Sequence, residues 1–298
     1  MPLSSLVVPA PAKLNLYLCV VGRRADGYHL LETLMVKLDL IDRLTFSRSG
    51  RELKLRVAGA DLPTDEGNLV FRAAQAFFAA AGFEAEVEIF LEKKIPLAAG
   101  LGGGSSDAAA ALLGLNEMFD HPLDQQSLAA LGLNLGADVP FFLYPGPVAW
   151  AQGIGEKIQP GPLLPSVAFL LINPGWPLST AWVYNNFKLK LTNRERDHIS
   201  LKFNERSFTK WPVLVNDLET VVLPQYPELT LIKERLVSAG AVGALMSGSG
   251  PTVFGVFSGQ AELDRAFDYV KKAGRDHWII WKARLWSGAE SAPDARPG

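Results

Sequence analysis

The chain has 298 residues, 48% of them hydrophobic and 20% charged, with a formal net charge of −2. This is the composition of ordinary globular domains, long enough for two cores, and it supplies no global basic field for nucleic acid. One cysteine, Cys19, excludes an intramolecular disulfide and a thiolate metal cluster, four scattered histidines give no zinc spacing, and no apolar run is long enough to span a bilayer. The segment from Met1 to Ala10 lacks the basic start and long apolar stretch of a signal peptide, so the expected compartment is the cytoplasm.

In chain order, Leu14 to Val21 reads as extended. Lys13 and Asn15 then share one strand face, because side chains alternate, and Leu14 and Leu16 take the core face. Asp26-Gly27 reads as a hairpin turn. Leu44 to Val57 looks extended and Asn68 to Ala81 helical. Val87, Ile89 and Leu91 alternate with Glu86, Glu88 and Glu92 as in a half-buried strand. A loop rich in glycine and serine follows, then the alanine-rich Ala108 to Leu113, a strong helix former, and helix to about Leu135. Val148 to Lys157 reads as extended with a turn at its glycines. Pro160-Gly-Pro-Leu-Leu-Pro165 is the densest cluster of breakers and marks a domain boundary. Val167 to Asn173 is a continuous apolar strand, Leu229 to Ala239 a helix, and Gly240 to Phe257 two strands around a second glycine loop. Trp278-Ile-Ile-Trp281 begins the last strand. The expected fold class is α+β in two domains, 1–160 and 161–286, with a disordered tail over 287–298.

The segment Pro96-Leu-Ala-Ala-Gly-Leu-Gly-Gly-Gly-Ser-Ser-Asp-Ala108 places four glycines in five positions ahead of a helix. Such a loop presents backbone N–H groups with no side chains in the way. The helix end adds unpaired donors and the positive end of its dipole, so the pair suits a chain of phosphates. A loop between a strand and a helix is seldom a tether. No Gly-Lys-Ser/Thr follows the glycines, which excludes a Walker A loop. Counted from Gly100, the last position of a dinucleotide fingerprint is Ser105, not glycine.

Lys13 alone reads as a solvated charge, and Asp138, in Gly136-Ala-Asp-Val-Pro-Phe-Phe142, reads equally as a cap at a turn or as a reactive carboxylate. Phosphoryl transfer to an alcohol needs positioned phosphates and neutralised charge, and often uses a carboxylate that takes the hydroxyl proton or, where the proton leaves late, mainly orients the hydroxyl. If the fold joins them, Lys13 and Asp138 supply such a pair, the lysine keeping the carboxylate ionised. The second glycine loop, Ala244-Leu-Met-Ser-Gly-Ser-Gly-Pro-Thr-Val-Phe-Gly255, is either a turn needing positive φ at Gly248 or Gly250, or a backbone that approaches ligand or the first loop. The two readings are compatible.

Pro11-Ala-Lys-Leu-Asn-Leu16, the glycine/serine loop and Ser247-Gly-Ser-Gly-Pro-Thr252 resemble the three motifs of the GHMP kinases. The two extra glycines of Gly100-Leu-Gly-Gly-Gly-Ser-Ser106, with Asp26-Gly-Tyr-His29, Gly136-Ala-Asp-Val-Pro140 and Asn216-Asp-Leu-Glu219, resemble the branch whose acceptor is a cytidine diphosphate-linked polyol. The resemblance covers roughly residues 9 to 286. It implies ATP-dependent phosphorylation of a hydroxyl on that polyol, in a route to isoprenoid precursors, with ATP and Mg2+ and with neither nucleic acid nor membrane as partner. By position it implies Asp138 as base and Lys13 as its charged partner. Pro96, Gly100, Leu101, Gly102, Gly103, Gly104, Ser105 and Ser106 hold the ATP phosphates, with Asn68 and Lys94 nearer the adenine. Asn15 contacts the substrate, Tyr28 and His29 the cytosine, and Thr180 and Tyr184 a second substrate-side cluster. Tyr184 either stacks on the cytosine face opposite Tyr28 or is ordinary helix core. Asp107 stands where the wider family has a small residue, and either turns away as a cap or helps Ser105 or Ser106 hold magnesium. No metal ligand is assigned. Two further readings fit the same motifs: another small-molecule kinase of the family, or a silent relative that only binds nucleotide or a protein partner.

Overall fold

The structure, a computed structural model, describes residues 4–48, 52–188 and 214–288. In chain order the elements are β1 (Ser5–Arg23), β2 (His29–Ser47), β3 (Lys54–Ala58), α1 (Leu69–Ala81), β4 (Glu88–Glu92), α2 (Gly103–Met118), α3 (Gln125–Leu135) and α4 (Val139–Leu143). There follow β5 (Val148–Gly153), β6 (Lys157–Pro160), β7 (Ala168–Asn173), α5 (Thr180–Asn186) and β8 (Val215–Asn216). The chain closes with α6 (Glu219–Gln225), α7 (Pro227–Ser238), β9 (Gly243–Met246), β10 (Val253–Phe257), α8 (Gln260–Ala273) and β11 (Ile279–Arg284). Of the tail expected from Ser287, residues 289–298 lie outside the described residues.

A seven-stranded sheet runs β3-β4-β2-β1-β8, with β5 on the other half of β2 and β6 on β5. A four-stranded sheet, β11-β7-β10-β9, is built wholly from residues after the breaker cluster. The long strands β1 and β2 are the main departure from the sequence expectation. Pro9 and Pro11 argue against a strand before Leu14, since proline cannot donate to a ladder. The structure accommodates Pro11 at a register shift, after which Lys13 pairs with Lys37. β2 lacks clean alternation because both of its faces are covered over Thr33–Leu38, where every residue is buried. The hairpin between them closes at Arg23↔His29, with Gly27 at φ +91°.

Two expected segments divide. The stretch Leu44 to Val57 belongs to two strands, the end of β2 and most of β3. The helical stretch to Leu135 is two helices, separated where Asp120 and His121 take positive φ. Helix α8 carried no expectation from the sequence reading.

Three apolar clusters fill the layers. Phe46, Phe77, Leu112 and Phe141 lie between the large sheet and α1, α2 and α4. Leu14, Leu16, Leu34 and Val36 pack directly on Phe169, Leu171 and Phe254 of the small sheet. Leu170, Ile172, Ile232 and Val270 join the small sheet to α7 and α8. Full burial of each such side chain is worth roughly 1.5–3 kcal/mol.

Candidate active site

A cleft of about 960 Å³ opens where β1, β2, the two glycine loops, α4 and α5 meet. Its walls include Lys13, Asn15, Tyr28, His29, Pro96, Gly100 to Ser105, Asp138, Thr180 and Tyr184. Residues more than 160 positions apart in sequence thus face one space.

The first glycine loop is shorter than the sequence suggested. Gly102, at φ +71°, is the N-cap of α2, so Gly103, Gly104 and both serines already lie in the first helical turn. That cap has no side-chain hydrogen bond. The first amides of α2 thus lack a capping oxygen as well as an intrahelical acceptor, and their residues Gly103, Gly104 and Ser105 line the cleft. A Cβ on Gly102 would lie 2.9 Å from both Lys13 Cγ and Phe142 Cζ, so the loop fits only as glycine against the lysine stem. The Lys13 amide in turn donates to the Leu101 carbonyl at 2.9 Å.

The second glycine loop supports the first, and both readings of it hold. Gly248 and Gly250 have φ of +55° and +81°. Ser247 Oγ donates to the Gly100 carbonyl at 2.9 Å, and the Thr252 amide donates to that of Ala99 at 3.3 Å.

Lys13 Nζ donates to Asn15 Oδ1 at 2.6 Å, Asn15 Nδ2 to Thr33 Oγ1 at 2.9 Å, and Thr33 Oγ1 to the Tyr17 carbonyl at 2.6 Å. This chain fixes the ammonium, whose pKa is pulled down by burial, with the Asp138 charge acting in the opposite sense. Lys13 Nζ stands 4.0 Å from Asp138 Oδ2, and the Asp138 side chain is 40% exposed to the cleft. Asp138 occupies the N-cap position of α4 yet makes no capping hydrogen bond, so its carboxylate is not consumed by the turn. At the other end of α4, the buried Lys37 Nζ donates to the carbonyls of Phe142 and Tyr144.

At the far end, Tyr28 is 59% exposed and His29 faces Tyr184 with ring centroids 5.3 Å apart. Burial, helped by the Arg23 charge, lowers the His29 pKa, so the imidazole is neutral at pH 7 and carries one donor and one acceptor. Burial and the Asp138 charge hold the Tyr184 phenol in its protonated form. Thr180 Oγ1 shares a hydrogen bond with Ser249 Oγ at 2.8 Å, joining α5 to the second glycine loop.

Three expected residues do not line the cleft. Asn68 is the N-cap of α1, its Oδ1 accepting from the Val70 amide at 2.9 Å and its Nδ2 donating to the Pro63 carbonyl at 2.8 Å. Lys94 is exposed and Ser106 is buried. Their neighbours Leu69, Lys93 and Ser105 form the wall instead. Lys93 was readable: strand alternation that buries Val87, Ile89 and Leu91 turns residue 93 inward and residue 94 outward. Thr33 and Arg23 also line the cleft, and their places depend on the β1–β2 register, which no local signal supplies. Asp107 does not cap α2; it is 2% exposed and its Oδ2 accepts from Lys93 Nζ at 2.6 Å.

Family models for the GHMP kinases N terminal domain and the GHMP kinases C terminal match residues 68–146 and 203–276. The chain is 50% identical over 251 residues to a 4-diphosphocytidyl-2-C-methyl-D-erythritol kinase of Syntrophotalea carbinolica, covering 84% of this chain and 88% of the relative. With the kinase of the same name from Syntrophus aciditrophicus it shares 46% identity over 279 residues, 94% and 99% of the two chains. A crystal structure of a 4-(cytidine 5'-diphospho)-2C-methyl-D-erythritol kinase superposes with a TM-score of 0.76 at 38% identity, over 94% of this chain and 99% of that one. Homoserine kinase from Cytophaga hutchinsonii, 18% identical with a TM-score of 0.69 over 95% of each chain, shares the fold.

Proposed function

From the premise that this chain belongs to the GHMP kinase family, among its 4-diphosphocytidyl-2-C-methyl-D-erythritol kinases, we infer that it transfers the γ-phosphoryl group of ATP to the 2-hydroxyl of that substrate. The observation that carries the residue assignment is the meeting of Lys13 and Asp138 beside the N-terminus of α2, at 4.0 Å. The acceptor oxygen attacks the γ-phosphorus as the bond to the bridging β-oxygen breaks and ADP leaves. The acceptor's proton passes to the Asp138 carboxylate and from there to solvent. Lys13, held by Asn15, offsets charge that builds on the transferred group, and Asn15 orients the acceptor.

The amides from Gly102 to Ser105 cradle the phosphates, with Pro96 and Leu101 shaping the loop and Ser106 beneath it. Asn68 supports the nucleotide wall through its cap beside Leu69, and the exposed Lys94 follows the wall residue Lys93 in the chain. Tyr28 offers an exposed face for the pyrimidine, neutral His29 reads its edge, and Thr180 and Tyr184 close the far side. ATP brings Mg2+ with it, and the protein oxygens suited to that ion are the hydroxyls of Ser105 and of Ser106, whose Oγ is buried with no hydrogen-bond partner. Among the described residues no three of His, Cys, Asp and Glu cluster around a metal position. Both substrates are small molecules. No helix of the described residues is long and apolar enough to cross a membrane; we place the enzyme in the cytoplasm on its single buried thiol and its metabolic chemistry.

ADP release by purified protein, measured with 4-diphosphocytidyl-2-C-methyl-D-erythritol against mevalonate, homoserine and galactose, tests this reading. Turnover with the cytidylyl substrate alone is expected. In the same assay Asp138→Asn should lower kcat by about 10²–10⁴-fold while ATP still binds. Turnover of another alcohol would void the pyrimidine site, and undiminished turnover by the variant would remove Asp138 from the proton-accepting role.

A further inference from the structure

Beneath the first glycine loop lies a charged cluster that the chemistry above does not use. Asp42 on β2, Lys93 at the end of β4 and Asp107 in the first turn of α2 are 0%, 7% and 2% exposed. Lys93 Nζ donates to Oδ2 of Asp42 and, at 2.6 Å, to Oδ2 of Asp107. Asp42 Oδ1 accepts from the amides of Lys94 at 2.5 Å and Ile95 at 2.8 Å. These two amides are the chain's entry to the loop, and Asp107 is on the helix by which the chain leaves it. One ammonium therefore ties both ends of the loop to the sheet.

The cluster also reaches the phosphate side. Lys93 lines the cleft, and a Cβ built on Gly103 would lie 3.2 Å from Lys93 Nζ. The ammonium thus sits against the first turn of α2, whose residues Gly103 to Ser105 line the cleft. Buried charges of this kind seldom add net stability over an apolar replacement, so their presence calls for another account. We propose that Asp42, Lys93 and Asp107 are positioning residues that hold the glycine loop and the α2 N-terminus in the geometry that receives the ATP phosphates. The inference rests on the ATP-loop reading above. It goes further in assigning loop geometry to a specific buried bracket rather than to the glycines alone.

The test is a split of kinetic constants in the full chain. Asp107→Asn preserves shape and leaves Lys93 its Asp42 partner. Its KM for ATP should rise by about tenfold, the usual scale for a supporting contact one step from a ligand, with KM for the cytidylyl substrate unchanged. Lys93→Met should show the same split more strongly, and Lys93→Arg should recover part of it because the cation is kept. A lowered Tm with both KM values unchanged would make the cluster merely structural and overturn the inference, as would an equal rise in both. If Lys93→Met does not fold, Asp107→Asn and Lys93→Arg carry the same decision. Wild-type turnover, measured alongside, tests the ATP-loop reading independently.

Discussion

Lys37 is 2% exposed, and its ammonium is met by two backbone carbonyls and by the rings of Phe141 and Trp286 at 5.5 and 5.6 Å. Burial pushes its pKa down to about 8 from an ordinary 10.5. The native state therefore binds fewer protons than the unfolded chain between those values, and stability rises with pH across that window. Below pH 8 the charged form is present in both states and the cost of burying it is fully felt. Relative to Lys37→Met, the native chain should gain about 2 kcal/mol between pH 7.5 and 9.5, as measured by urea unfolding at both values. A difference that does not change with pH would mean the ammonium is solvated in the fold. Lys37 was not singled out by sequence, because the carbonyls it holds are more than 100 positions away. Lys13 and Asp138, by contrast, were named from their motifs, although the pairing needed the fold to join them.

At the scale of the element, α2 and its loop carry the site. Alternation in β4 and the alanine run made a strand, loop and helix legible, but the helix begins at Gly103 rather than after the serines. Glycines have low helix propensity, so local preference argued against that start; the left-handed cap at Gly102 and packing of α2 on the sheet prevailed. The glycines are not equivalent. Gly100 has φ +75° and a Cβ there would meet the Ser247 carbonyl at 2.2 Å, whereas Gly104 is helical with only Leu69 Cδ1 at 3.5 Å. Gly100→Ala should lose about 2 kcal/mol or more of stability and most turnover. Gly104→Ala should fold at least as well as the native chain, yet raise KM for ATP, because its new methyl enters the cleft. Urea unfolding and initial rates on the two variants check this, and an unchanged KM in Gly104→Ala would move the phosphates off this face of α2.

Across the whole molecule, the two sheets are held as one body by contacts that no single half contains. β8, from the second half of the chain, pairs in parallel with β1 of the first. Asn216 on β8 donates to the carbonyls of Met246 and Gly248, both at 2.8 Å, and accepts from the Leu218 amide at 3.0 Å. Asp217 accepts from the Val20 amide and Glu219 from the Met246 amide, each at 2.8 Å. The motif Asn216-Asp-Leu-Glu219, quoted from sequence without a role, is thus a bracket between the large sheet and the second glycine loop. Asn216→Ala orphans three buried backbone groups and should cost about 2–3 kcal/mol and lower kcat together, since the loop it holds supports Gly100. Stability loss with undiminished kcat would separate that loop from the site. We propose a domain division near residue 160; the apolar layer between the sheets draws residues from both sides of it.

The sequence by itself determined the family, the α+β class, a glycine loop leading into a helix, and the candidates Lys13, Asn15 and Asp138, which the fold brings to one cleft. Those features reside in short motifs and local periodicity, which need no knowledge of distant neighbours. Tertiary structure decided the rest. It set the 19-residue lengths of β1 and β2, the register that brings Thr33 to Asn15, and the turning of Asp107 inward onto Lys93. It also set Asp138, its carboxylate uncapped, 4.0 Å from Lys13. Each of these is fixed by which surfaces bury one another across more than ten residues of chain. That is a property of the folded body, and no local stretch of sequence encodes it.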